Sequence, residues 1–322
     1  MNEFLKCLTV FLGCSGLIGG VLPVRAGSPV TPTSKVVSVT VTATGLHNNT
    51  PRLLTRDDVL VYQEREQLPV LNVTPLQEGK AGLDLTILFE DSLESNFVLQ
   101  LAEIAEFIRS LPPTTRVAIA YIRNPTFTMG QELTTDRESA VRALQVPLGS
   151  PREFDSPYLA LADLVMAMPD SGNRRAILMI SDGVDRFRGP FEPVSPDLEP
   201  AYQEAQRRGV LVYAIYATRS EPASRSSVGI QDAQGSLTRL AQETGGEAFV
   251  EGFSTPAFLK PHLQEFRQLL EQQYLISFRT QLIMTDQYEH FKFTTKVPDI
   301  ELIAPGHVYI PADGNSKAYG NW

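Results

Sequence analysis

In Lys35-Val-Val-Ser-Val-Thr-Val-Thr-Ala43 the apolar residues recur at every second position, the period of a strand with one buried face. Val59-Leu-Val-Tyr62 and the stretch 68–76 read as two more short strands, after a turn-rich loop at 45–51. From Ala81 the pattern changes. Residues 83–89 form a largely apolar run, expected of a strand buried on both faces. Leu101, Ile104, Ala105, Ile108 and Leu111 then repeat at helical spacing until Pro112-Pro113. Further strands are predicted over 116–122, 126–133 (an edge strand), 174–181, 210–217 and 248–250. Helices are predicted from the capping Asp136 to 144, from Ser156-Pro157 to 168, over 197–208 before Gly209, over 236–244 before Gly245-Gly246, and from Thr255-Pro256 to 272. The polar stretch 220–235 reads as mobile, and 190–200 as a proline-rich surface loop.

Strands alternating with helices predict an α/β domain over 81–272, with a doubly wound, mostly parallel, Rossmann-like sheet. The strands of 35–80 form a small β module. Those of 273–311, expected at 274–279, 291–297, 300–303 and 307–310, are expected to pack with it, the first two as a hairpin, because an isolated hairpin is marginal in water. Residues 27–34 read as a flexible leader and 312–322 as a disordered tail.

Charge and cysteine content narrow the function. A net charge of −9 with no basic stripe argues against nucleic acid as a partner. Residues 1–26 read as a secretory signal: Lys6, an apolar stretch over 7–22 broken by glycines, and Val24-Arg-Ala26 with small residues where a signal peptidase reads. The stretch is too short for a membrane span, so the mature chain is expected to have none and to reside in the periplasm or outside the cell. Phe11-Leu-Gly-Cys14 is a poor lipobox. Cys7 and Cys14 both lie in this segment, so cleavage after Ala26 would remove disulfides, thiolate metal sites and cysteine nucleophiles together.

The chemistry gathers where apolar runs stop. Leu85-Thr-Ile-Leu-Phe-Glu-Asp-Ser-Leu-Glu-Ser95 and Ala176-Ile-Leu-Met-Ile-Ser-Asp-Gly-Val-Asp185 both end in carboxylates and hydroxyls. In open parallel sheets ligands bind at such carboxyl ends. His47, His262, His290 and His307 lack ligand spacing and read as surface residues. Arg123, Arg186 and Arg188 are placed to neutralise the acidic strand ends or hold a partner carboxylate, against the plainer reading of solvated loop residues. Two short sequons, Asn48-Asn-Thr50 and Asn72-Val-Thr74, carry little weight. No Gly-x-Ser-x-Gly, phosphate-cradling loop or Gly-x-Gly-x-x-Gly occurs.

The two strand ends, Asp182-Gly183 above all, resemble those of a von Willebrand factor A domain. Leu240-Ala-Gln-Glu-Thr-Gly-Gly246 with Ala248-Phe249 resembles that domain's last helix and strand. The resemblance implies a metal-ion-dependent adhesion site, in which Asp-x-Ser-x-Ser, a hydroxyl from a second loop and an Asp from a third hold Mg²⁺ through oxygens. Two registers fit. Glu90 in first place aligns Ser92 and puts Glu94 where a serine belongs; Asp91 in first place aligns Ser95 and puts Leu93 there. The first is preferred, so the implied metal set is Glu90, Ser92, Glu94, Ser156 and Asp182. Glu90 displaces its oxygens by ~1.5 Å relative to Asp, and Glu94 adds an anion. Both changes disfavour Mg²⁺ and leave Ca²⁺, with its looser shell, as the alternative cofactor.

More narrowly, the leading strand, Leu54-Thr-Arg-Asp-Asp58 before Val61-Tyr62, the A domain and Gly306-His-Val-Tyr309 resemble the VWFA-related domain proteins first grouped in Acidobacteria. That resemblance implies an exported, non-enzymatic module that binds a protein partner or acts as a scaffold through the face around Ser92, Ser156 and Asp182. The alternative is a metal-dependent hydrolase using the same acids.

Overall fold

A computed structural model describes residues 34–45, 52–77, 81–147, 154–187, 194–219, 227–281 and 285–312, apart from the Ser95 side chain. The signal segment 1–26, most of the 27–34 leader, the Asn48 sequon, Arg188 and nearly all of the 312–322 tail lie outside them.

The first strand, β1 (Ser34–Gly45), is followed by β2 (Val59–Gln63), β3 (Glu66–Leu68) and β4 (Val70–Pro75). Pro69 splits into two the strand expected over 68–76: its carbonyl accepts from Arg279 N–H at 3.0 Å, but it has no N–H to give a ladder. The wound part follows with β5 (Leu83–Glu90), α1 (Val98–Ser110), β6 (Thr115–Arg123), β7 (Thr126–Thr134), α2 (Arg137–Arg142), α3 (Pro157–Ala167), β8 (Arg174–Ser181), α4 (Leu198–Arg208), β9 (Val210–Tyr216), α5 (Ser227–Thr244), β10 (Ala248–Phe249) and α6 (Lys260–Glu271).

These six strands form one sheet in the order β10-β9-β8-β5-β6-β7, parallel except for the edge strand β7. All eight residues of β5 are buried because helices cover both sides. Leu85, Ile87 and Phe89 face α1 and α6 through Ile104, Phe107 and Phe266; Leu88 faces the other layer, Leu161 of α3, Ala201 of α4 and Leu237 of α5. The chain steps from β5 to β6 on one side and later returns to place β8 on the other. The winding therefore reverses between β5 and β8, and a crevice opens at their carboxyl ends.

Two helices differ from expectation. α5 begins at Ser227, inside the segment read as mobile, because Ile230, Ala233, Leu237, Leu240 and Ala241 are buried along one side despite the intervening polar residues and two glycines. α6 begins at Lys260 rather than at Thr255-Pro256, with Pro261 in its first turn.

The chain closes with β11 (Gln273–Gln281), β12 (Gln287–Glu289), β13 (Phe291–Thr295), β14 (Ile300–Ile303) and β15 (Val308–Ile310). Strands from both ends interleave as β14-β1-β11-β4 and β13-β2-β3, beside a β12-β15 pair. The expected hairpin of 274–279 with 291–297 does not form: β11 lies between β1 and β4, and β13 pairs with β2. The aromatic residues explain this. Phe278 meets Phe291 and Phe293 at ring-centroid distances of 4.9 and 5.8 Å, as facing sheets do, inside a core with Val41, Val61 and Ile276. β11 leaves α6 directly, and Arg174 at the start of β8 ties the two parts together by donating to Leu270 O at 2.6 Å and Gln273 Oε1 at 2.5 Å.

Candidate functional site: an arginine among strand-end carboxylates

The crevice between β5 and β8 is lined by Glu90 and by Ser181-Asp182-Gly183. Glu90 is 0% exposed and bridges the two strand ends: its Oε2 accepts from Ser181 Oγ at 2.8 Å and from Asp182 N–H at 2.9 Å. Ser92 Oγ donates to Glu90 Oε1 over a long 3.4 Å. Past Asp182 the chain turns at Gly183 with φ +72°, where a Cβ would lie 2.8 Å from both Ala233 O and Leu237 Cγ of α5. Only glycine fits that turn. Tyr158 OH donates to Gly183 O at 2.7 Å and Val184 N–H to Asp182 Oδ1 at 2.9 Å, which fixes the carboxylate's direction.

The loop after β9 crosses the top of this crevice. Ala217 N–H donates to Ser181 O and Glu94 N–H to Thr218 O, both at 3.0 Å, and Arg219 forms an antiparallel bridge with Leu93. Arg219 is thereby directed inward and is 1% exposed. Its Nη2 pairs with Glu90 Oε1 and lies 3.3 Å from Asp155 Oδ2, while its Nε lies 3.2 Å from Asp182 Oδ2. A planar, permanently charged fork is suited to spreading one cation over several carboxylates. A second guanidinium, Arg186, places Nη1 and Nη2 each 3.3 Å from Asp182 Oδ2. Asp155 is held by Asn124 N–H, which donates to its Oδ1 at 2.7 Å.

The structure separates the two registers by direction. Glu90 faces the crevice, while Asp91, also buried, pairs with Arg123 at 3.0 Å. Ser92 lies by Glu90. Ser156 caps α3, accepting from Leu159 N–H at 3.3 Å, and its hydroxyl donates to Asp185 Oδ2 at 3.0 Å. Glu94 is half-buried, and its carboxylate is felt with that of Asp182 at Tyr216: burial first, then these two charges, push that phenol up to about 12. Tyr158 is likewise raised, by burial and then by Asp182 and Asp185. Sequence reasoning did not select Asp155 or Arg219. Asp155 immediately precedes the capping Ser156, and Arg219 stands three residues past the end of β9, opposite the acidic strand ends.

These residues do not fit a divalent ion. Glu90, Asp155 and Asp182 all engage the Arg219 guanidinium, so a divalent ion could reach their facing oxygens only by displacing it. Among the described residues no group of three or more His, Cys, Asp or Glu is arranged to hold a metal. Of the implied set, Glu90, Ser92 and Asp182 stand at the crevice, Ser156 caps α3 and Glu94 is half-buried, while Asp155 and Arg219 join Glu90 and Asp182 there. Away from this face, a cavity of about 250 Å³ lies where the strands begin, lined among others by Thr40, Arg174, Gln206, Val210 and His307.

The class that the strand order defines is a mixed α/β, doubly wound, Rossmann-like domain. No family model matches the chain, and no curated protein does. Three solved structures are similar to parts of it. An aerotolerance-related membrane protein from Bacteroides fragilis is 13% identical, over 59% of this chain and 98% of its own, with a TM-score of 0.43. Proximal thread matrix protein 1 from the mussel byssus is 12% identical, over 61% and 48%, with a TM-score of 0.40. The SpRpn10 VWA domain is 13% identical, over 60% and 97%, with a TM-score of 0.34. Such likenesses concern the fold alone.

Proposed function

We propose that the chain is an exported, non-enzymatic protein-binding or scaffold module whose binding surface is the carboxyl-end face of its A-like domain. One observation carries this reading. A group of large apolar side chains stands exposed on that face: Val98 and Leu99 in the first turn of α1, Phe187 and Val194 between β8 and α4, and Phe253 and Phe258 between β10 and α6. Leu99 and Phe258 are 74% and 68% exposed. Gln100 Nε2 donates to Pro256 O and Ala257 O, both at 3.3 Å, which brings their two segments together. Exposed apolar groups gathered on one face mark a contact surface.

The buried centre supports binding over hydrolysis. Carboxylates already paired with guanidiniums and shut away from solvent are poor general acids or bases, so the Glu90, Asp155 and Asp182 set is read as a rigid, degenerate form of an adhesion site. Export rests on the signal segment. Among the described residues no helix is long and apolar enough to cross a membrane.

The test is crosslinking and co-purification of the full chain from its native envelope, beside a Leu99→Ser/Phe258→Ser variant. Loss of the recovered partner from the variant, with unchanged thermal stability, is expected. Undiminished recovery would show that the partner binds elsewhere.

A further inference from the structure

We propose that Arg219 is a tethered replacement for the divalent ion of an A-type site, so that this face is complete without metal. The inference rests on the geometry of the crevice and holds whether or not the face binds a partner.

Three arguments carry it. The first is place. The guanidinium is surrounded by an acid at the end of β5 (Glu90), an acid just past β8 (Asp182) and an acid before α3 (Asp155), three points reached from three separate segments. The second is charge. Arg219 and Arg186 together bring two positive charges to these carboxylates, the charge of one divalent ion, and both are covalently part of the chain. The third is anchoring. The arginine does not reach in from a surface side chain; its backbone is bridged to Leu93, and the preceding Thr218 donates its N–H to Thr255 Oγ1 at 2.9 Å. A large side chain at 1% exposure with three carboxylate neighbours is held there by the fold. Removing its guanidinium would leave the three acids facing an emptied volume, with Ser92 Oγ beside Glu90. The all-oxygen set left behind suits Ca²⁺, whose larger shell tolerates irregular geometry, better than Mg²⁺.

The test is calorimetric titration and thermal unfolding of the full chain and its Arg219→Ala variant, in chelator and in Ca²⁺, Mg²⁺ or Mn²⁺. The wild type is expected to give no saturable heat and the same midpoint in chelator and in metal. Arg219→Ala is expected to melt lower in chelator and to bind one Ca²⁺. Each tenfold rise in free Ca²⁺ above the dissociation constant should raise its midpoint by roughly 3–6 °C. If that variant does not fold in chelator, recovery of folded protein by Ca²⁺ supports the proposal. If it folds under neither condition, Arg219→Ala/Asp155→Asn, which leaves two acids instead of three, decides by the same Ca²⁺ titration. Stoichiometric metal binding by the wild type would overturn the proposal, as would a folded variant with no gain in Ca²⁺ affinity.

Discussion

Replacing Glu90 by Gln removes one charge and almost no volume, and it tests which acid organises the strand ends. Glu90 is fully buried, accepts from Ser181 Oγ and Asp182 N–H on one oxygen and pairs with Arg219 on the other. A carboxamide has one acceptor oxygen. In either orientation its NH₂ faces a donor, the Asp182 N–H or the Arg219 guanidinium. Breaking a buried ion pair on one side costs about 3–5 kcal/mol. At roughly 2–4 °C per kcal/mol for a large domain, the unfolding midpoint should fall by about 6–20 °C. Asp91→Asn is the control one residue on. Its partner Arg123 is partly exposed, with a side-chain exposure of 32%, so solvent screens the pair and the loss should stay near ~1 kcal/mol. Urea unfolding of both variants at neutral pH measures the difference. An Asp91→Asn loss equal to or larger than that of Glu90→Gln would refute the reasoning and favour the register that begins at Asp91.

Two further substitutions, one at the same face and one in the β module, have defined outcomes. Gly183→Ala forces a left-handed residue to carry a Cβ 2.8 Å from a backbone carbonyl; a loss of roughly 2–4 kcal/mol is expected in denaturant unfolding, and a loss below the ~1 kcal/mol cost of strain alone would mean the turn can relax. In the β module, hydrogen bonds from the Thr55 hydroxyl and N–H, then Arg52, lower the Asp58 carboxyl to about 2. A depressed folded value stabilises above the ordinary pKa, so this contribution is intact at pH 5 and is lost between about pH 4 and 2. Asp58→Asn should flatten the wild type's acid-side decline in that window, and identical pH profiles would contradict the assignment.

Much of the wound domain was legible in the residues, because strands buried on both faces and helices closed by Pro112-Pro113 or Gly209 have strong local signals. The terminal strands were harder. Their pairing is set by contacts across more than two hundred residues, such as Ser34 with Gln281, and Phe278, Phe291 and Phe293 serve a facing-sheet core as readily as a hairpin. Of the candidate site, Glu90, Ser92 and Asp182 stand together as a strand-end pattern suggests. Ser156 is used as a helix cap, and Arg219 went unrecognised because one arginine in a polar stretch has no periodicity and no motif. Its role exists only once β9 is wound next to β8 and its loop is laid over the end of β5.

The most direct measurement is a crystal structure of the wild-type protein grown in millimolar Mn²⁺, with anomalous differences collected at the manganese edge. The expected map shows the Arg219 guanidinium between Glu90, Asp155 and Asp182 and no anomalous peak there. A manganese peak held by those carboxylates, with Arg219 turned out to solvent, would contradict the central claim.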